Sequence, residues 1–537
     1  MTTAVEQDRI EGMGARRLLI IGGIVLIVAG MIFGDVFAVF VLHQNGNRIG
    51  VALMAVTDAV AAKDPAAVFV HFASIGGLLE NRGTKVDTHV HMIDFGYLGL
   101  LLALIQPYVA LAERTRKRLA ALFIVGAVML PISVFSIHYV GLKYSPLRAI
   151  GWASILADLG GVLVIIACSG ELIGLLEHLR GRREKAADDP LLNDGSWNAR
   201  ALLVGGTLLI LAGFLHGAFF AVFDLQTHEF QDQVALETMI NAAVAQQTSR
   251  NVRDVVTPNR ANAVVEVYGI IQAEKAVNIA AHSHIIEFGL LAILLAFIQP
   301  YVSLAERWKR RWVVVMLTGS VVLPLFVLLE LKFGLVAGGI ADAGGLLVII
   351  ALVGMLGGVL RYTRQVDAHR GAQHLGGSRR LLVVSGVALA IWGMNFGLYY
   401  ALFAEHQALD KMGGSLAAAF ADGAKGDLIA AHASVQAYAD TQFNYVRSVD
   451  VHSHWIGLAM LLVVLGIAFD RGGFTEGRQK LLAWLLVIGS VAFPLGVSLQ
   501  TLNRGIIPQA VAAIGAGLVI IALSAAALSF ARSERNQ

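Results

Sequence analysis

Three His-x-His phrases mark the chain: "HVH" at 89–91, "HSH" at 282–284 and "HSH" at 452–454. Neutral imidazole is a ready transition-metal ligand, so a histidine pair repeated at one place in three segments points to metal or haem ligation. Successive residues of an α-helix turn by about 100°, which sets the two rings of His-x-His about 200° apart. One pair therefore cannot close on a single ion, but it can lend one ring to each of two flanking clefts. Asp94 and Glu287 stand three residues after His91 and His284, a same-face spacing, and Gly457 takes that place in the third copy. Gly96, Gly289 and Ala459 lie seven residues after the first histidines, also on one face, and are expected to leave room for a flat macrocycle.

The next apolar run carries His138, Glu330 and Gln500 at or near equivalent positions. Two metal sets of nitrogen and oxygen donors follow as expectations: His91, Asp94 and His138, and His284, Glu287 and Glu330. A buried histidine can equally cap a helix or hydrogen-bond a neighbour. That plainer reading weighs more for the lone His138 and His216 than for three repeated pairs. Asp158 and Asp342 read either as proton-relay groups or as partners for neighbouring hydroxyls.

The elements that must position these residues are themselves repeated. "HVHMIDFGYLGLLLALIQPYVALAER" at 89–114 returns as "HSHIIEFGLLAILLAFIQPYVSLAER" at 282–307 and, more worn, as "HSHWIGLAMLLVVLGIAFDR" at 452–471. "GMIFGDVFAVF", "GFLHGAFFAVF" and "GMNFGLYYALF" precede the phrases, and a proline-bearing run and a Gly-rich run follow each. This gives three four-helix units, 1–190, 191–372 and 373–537. The expected fold is all-α and polytopic, with twelve transmembrane helices in three parallel repeats about a pseudo-threefold axis. The second span of each unit is expected near 92–111, 285–304 and 454–469, with His-x-His at its head. The connections leading into these spans are long and Ala-rich, and are expected to form short helices in an extracytoplasmic cap.

Composition agrees with a membrane protein. Hydrophobic residues make up 57% of the 537, charged residues only 15%, and the mean hydropathy is +0.69. Lysine and arginine gather in alternate connections, such as Arg114–Arg118 and Arg307–Arg311, which predicts both termini on the cytoplasmic side, and the expected location is a bacterial-type inner membrane. The net charge of +3 reflects that orientation, and nucleic acid is not implied. The first apolar run reads as a retained span. Cys168, the single cysteine, permits neither a disulfide framework nor a thiolate cage, and no C-x-x-C-H haem attachment is present.

With these residues in view, the chain resembles the catalytic subunits of haem-copper oxidases and nitric oxide reductases, and "H-x-H-x4-G" is similar to phrases of smaller oxidase-like membrane proteins. The resemblance covers the spans of the whole chain through one short motif. It implies haem b, one to three copies, held by His89 or His91 and by His452 and His454, with copper or non-haem iron on His282 or His284 and a carboxylate at Glu287. Membrane lipid, an electron-donating partner protein or quinol, since no recognisable domain of the chain supplies electrons, and a further copy of the chain in a homo-oligomer are the expected partners. The chain departs from that family where "LPLFVLLELKFG" offers only Glu330 in place of an adjacent histidine pair, and where the H-P-E-x-Y phrase is missing. The leading expectation is a b-type haem redox protein with cofactor-binding His89, His91, His282, His284, His452 and His454. The rival is a carrier or binder of copper, zinc or iron ions without haem. A structural subunit with vestigial histidines is the third reading.

Overall fold

A backbone in lipid must satisfy its hydrogen bonds internally, and long apolar runs, punctuated by glycine, proline and short basic connections, do so here by folding into helices. The computed structural model describes residues 4–38, 43–140, 151–181, 195–220, 258–362, 375–468 and 474–533, with the single residues 40, 192 and 223. The 224–257 connection with His228, and the connecting stretches 182–190, 363–374 and 469–473, lie outside the described residues. The first unit comprises α1 (Ala4–Phe37), α2 (His43–Ala61), α3 (Pro65–Ile105), α4 (Glu113–Val140) and α5 (Trp152–Leu179). The second has α6 (Trp197–Phe219), α7 (Pro258–Ile298), α8 (Glu306–Phe333) and α9 (Leu335–Leu360). The third has α10 (Gly377–Tyr400), a π-helical turn at Ala401–Glu405, α11 (His406–Lys425), α12 (Leu428–Ala468), α13 (Glu476–Leu499) and α14 (Ile506–Ser533).

Twelve of these helices are long and apolar enough to cross a membrane, and the protein is a multi-pass membrane protein. Exposed apolar residues recur at helical spacing on the outer helices, as Leu18, Val25 and Ile32 on α1 or Ile514, Ile521 and Leu528 on α14. Such stripes suit lipid and would be costly in water. Within each unit the first span packs on the second and the third on the fourth. Units join through α5 with α6, α9 with α10, and α14 with α1, so the outer helices close into a ring around α3, α7 and α12.

Close approach of these helices rests on missing side chains. A Cβ on Gly23 would lie 2.8 Å from the Gly96 carbonyl, one on Gly206 would lie 2.6 Å from that of Gly289, and one on Gly386 would lie 2.8 Å from that of Ala459. This overturns one expectation. Gly96, Gly289 and Ala459 do not clear space for a macrocycle, because the first helix of their own unit fills it.

The inner helices also run further than hydropathy suggests. α3, α7 and α12 are each 41 residues long, and His-x-His sits at the same register inside each, not at its head. The polar half before the histidines belongs to a helical cap. There α2 and the start of α3 pack with α11 and the start of α12 around Val56, Val68, Phe72 and Phe420. The turns into the two long helices match: Lys63 and Gly426 take positive φ, and then Asp64 and Asp427 accept hydrogen bonds from the first free amides of α3 and α12.

Candidate functional site: the histidine clefts

All six paired histidines have their Nδ1 committed to a backbone carbonyl. The first of each pair reaches the preceding helix: His89 to Gly30 (2.8 Å), His282 to Gly213 (2.9 Å) and His452 to Gly393 (2.9 Å). The second bonds one turn back on its own helix: His91 to Asp87, His284 to Ala280 and His454 to Asp450. A carbonyl only accepts, so each neutral ring carries its proton on Nδ1 and keeps a lone pair on Nε2. That tautomer, fixed by a carbonyl, is one in which a histidine can ligate a metal, through Nε2.

Small residues make the arrangement possible. Gly34, Gly217 and Gly397 lie against the first histidines, and a Cβ on any of them would come within 2.2–2.4 Å of a ring carbon. These are the glycines of "MIFG", "FLHG" and "MNFG". The repeated phrase is thus a seat for the ring, with its upstream glycine as hydrogen-bond acceptor.

The two histidines of one helix face different neighbours. His89 lies 6.3 Å from His454, ring centre to ring centre, across the cleft between the first and third units. His452 lies 6.2 Å from His284 across the cleft between the third and second. His282 feels the field of His91 across the remaining cleft and lies 6.4 Å from His216, nearly parallel to it. His216 occupies the place of Phe33 and Phe396 in the repeated phrase, a signal present in the sequence that a lone histidine does not announce by itself.

All six rings are half-buried. Below them the inner helices are solid: Phe95–Ile105, Phe288–Ile298 and Leu458–Ile467 are buried along their whole length. Asp94 and Glu287 lie within electrostatic reach of each other and of Tyr97, whose hydroxyl is 3.3 Å from where a Gly457 Cβ would stand. Two carboxyls and a phenol therefore gather between the inner helices just beneath the histidines. Arg447, paired with Asp450 at 3.3 Å, and Arg82 in its field lie on the capped side of the His89–His454 cleft.

The expected three-residue sets do not assemble. Asp94 stays near His91, but His138 packs edge-on against Tyr139, and Glu330 turns to His406 of the third unit at 3.7 Å. Among the described residues no group of three or more His, Cys, Asp or Glu side chains is placed to hold a metal ion. Compared with known proteins, the chain matches no family model and no curated protein.

Proposed function

We propose that this protein is a membrane b-type haem protein whose clefts between units each hold a haem iron between two histidines, for electron transfer or small-molecule redox chemistry. The observation that carries the reading is the facing of rings from different units, His89 with His454 and His452 with His284, each with Nε2 free. A metal bound by two imidazole nitrogens at about 2 Å each separates the ring centres by roughly 6 to 6.5 Å. The two separations, 6.3 and 6.2 Å, fall in that range.

The choice of haem over a bare ion rests on ligand count. A bare transition ion seeks three or four protein donors, whereas an iron already held by four ring nitrogens needs only an axial pair. Bound haem would supply a one-electron iron couple. The chain's own residues orient the first rings through Gly30, Gly213 and Gly393 and hold all six in a ligating tautomer, and Arg82 and Arg447 on the capped side would pair with the negative charge of haem carboxylates.

A bare-ion reading keeps one observation in its favour, since Gly96, Gly289 and Ala459 are packed rather than open. An optical spectrum of protein purified after expression with ample haem separates the two. A Soret band is expected. Its absence, together with bound copper, zinc or iron by elemental analysis, sinks the haem reading.

A further inference from the structure

The three units are not alike where the spans meet the cap. In the first, Lys85 is buried between α3 and α4, with Nζ 4.9 Å from the Tyr139 ring centre and 5.4 Å from that of Phe135, and it reaches Asn81. Counting from His-x-His and from the helix prolines Pro131 and Pro494, the third unit has Ser448 for Lys85 and Ser498 for Phe135, while Asn444 keeps the place of Asn81. The exchange of lysine and phenylalanine for two serines leaves a cavity of about 390 Å³.

Its lining has two characters. Ser498 and Asn444 bring a hydroxyl and an amide to the lining, Ser448 and Thr501 add hydroxyls that already donate to the Asn444 and Ser498 carbonyls, and Phe396, Tyr399 and Phe403 form aromatic walls. Tyr399 and Phe403 are about 60% exposed on the apolar face of α10 and its π-helical extension, so the mouth opens toward lipid. The Tyr400 hydroxyl, on the same wall, is buried with no hydrogen-bond partner. Val451, next in the chain to His452, closes the inner end.

We propose that this cavity binds a quinone-type lipid, with its flat oxygenated ring among Asn444, Ser498 and Tyr400 and its isoprenoid tail leaving past Phe403. Aromatic walls suit a planar ring, and neutral donors suit carbonyl or hydroxyl oxygens better than a charged headgroup. The single cation, Lys411, stands exposed at the rim. Binding stands apart from the haem reading, and only use of the ligand as an electron donor beside His452 rests on it.

The test uses the full chain in phospholipid nanodiscs with an azido-ubiquinone photoprobe, competed by decyl-ubiquinone and mapped by mass spectrometry. Crosslinks are expected within 396–408 and 441–451. Ser448→Lys with Ser498→Phe restores the filling of the first unit and is expected to weaken labelling about tenfold or more. Ser448→Thr is expected to retain it. Should the double variant fail to fold, Ser498→Leu is read in the same way. Labelling elsewhere, labelling that survives the filling substitutions, or a phospholipid held in the cavity that quinone does not displace overturns the proposal. A missing Soret band leaves this test intact, and lost labelling with an unchanged Soret band leaves the haem reading intact.

Discussion

At the scale of single residues, the ligating state of each histidine is set by groups that carry no charge. The Gly30, Gly213 and Gly393 carbonyls fix the tautomer, and Gly34, Gly217 and Gly397 give the rings their seats. Gly34→Ala places a methyl 2.3 Å from His89 Cε1, so the ring must leave its seat. A loss of about 1–3 kcal/mol is expected from such overpacking, read as a lower midpoint in detergent melting, with a weakened Soret band from the cleft that His89 shares with His454. Gly46→Ala, in open space on α2, serves as the control and should neither lower the midpoint nor weaken the band. His216 calls for a separate test because it lies against His282 where the other units have phenylalanine. His216→Phe should preserve the fold and alter only the spectral component that depends on His282; a change in the components of the other two clefts would show that the clefts are not independent.

At the scale of elements, helix pairs are locked where one backbone meets another. A Cβ on Gly160, Gly344 or Gly515 would fall 2.7, 2.6 or 2.3 Å from the backbone nitrogen of the residue just before Pro131, Pro324 or Pro494. Gly344→Val should therefore push α9 off α8 and cost about 1–3 kcal/mol, measured as a lower melting midpoint. Much of this level was legible in the sequence: the all-helical fold, the twelve spans and the shared place of His-x-His follow from apolar runs and matching phrases. The full length of α3, α7 and α12 was not. Their first halves are Ala-rich and polar, and continuity across the cap depends on packing around Phe72 and Phe420 that involves two units. The role of Gly96 and Gly289 was misread for a related reason. Same-face spacing says which residues share a stripe, but not whether a helix or a ligand lies against it. The partner of Glu330 was equally hidden, since His406 reaches it from a different unit. The third unit's cavity depends on side-chain volumes at Ser448 and Ser498, which matter only once α12 and α13 are known to adjoin.

At the scale of the whole molecule, each cleft belongs to two units, and the histidine of one helix answers that of the next around the ring. His452 faces His284 and His454 faces His89, so the two histidines of the third unit serve two clefts. Two double substitutions that each remove two histidines must then differ. His284→Ala with His452→Ala empties one cleft and leaves His89 and His454 in place. His452→Ala with His454→Ala breaks both. Haem per protein, measured by the pyridine haemochrome method, should fall by the occupancy of one cleft in the first variant and of two in the second. Equal losses would mean that the rings of one helix act together, against the 200° separation of His-x-His on a helix, and the scheme of clefts shared between units would fail. Retention of full haem content in both variants would move the ligands elsewhere. The comparison holds the number of removed imidazoles constant, so neither a general loss of stability nor a change in polarity accounts for a difference between the two.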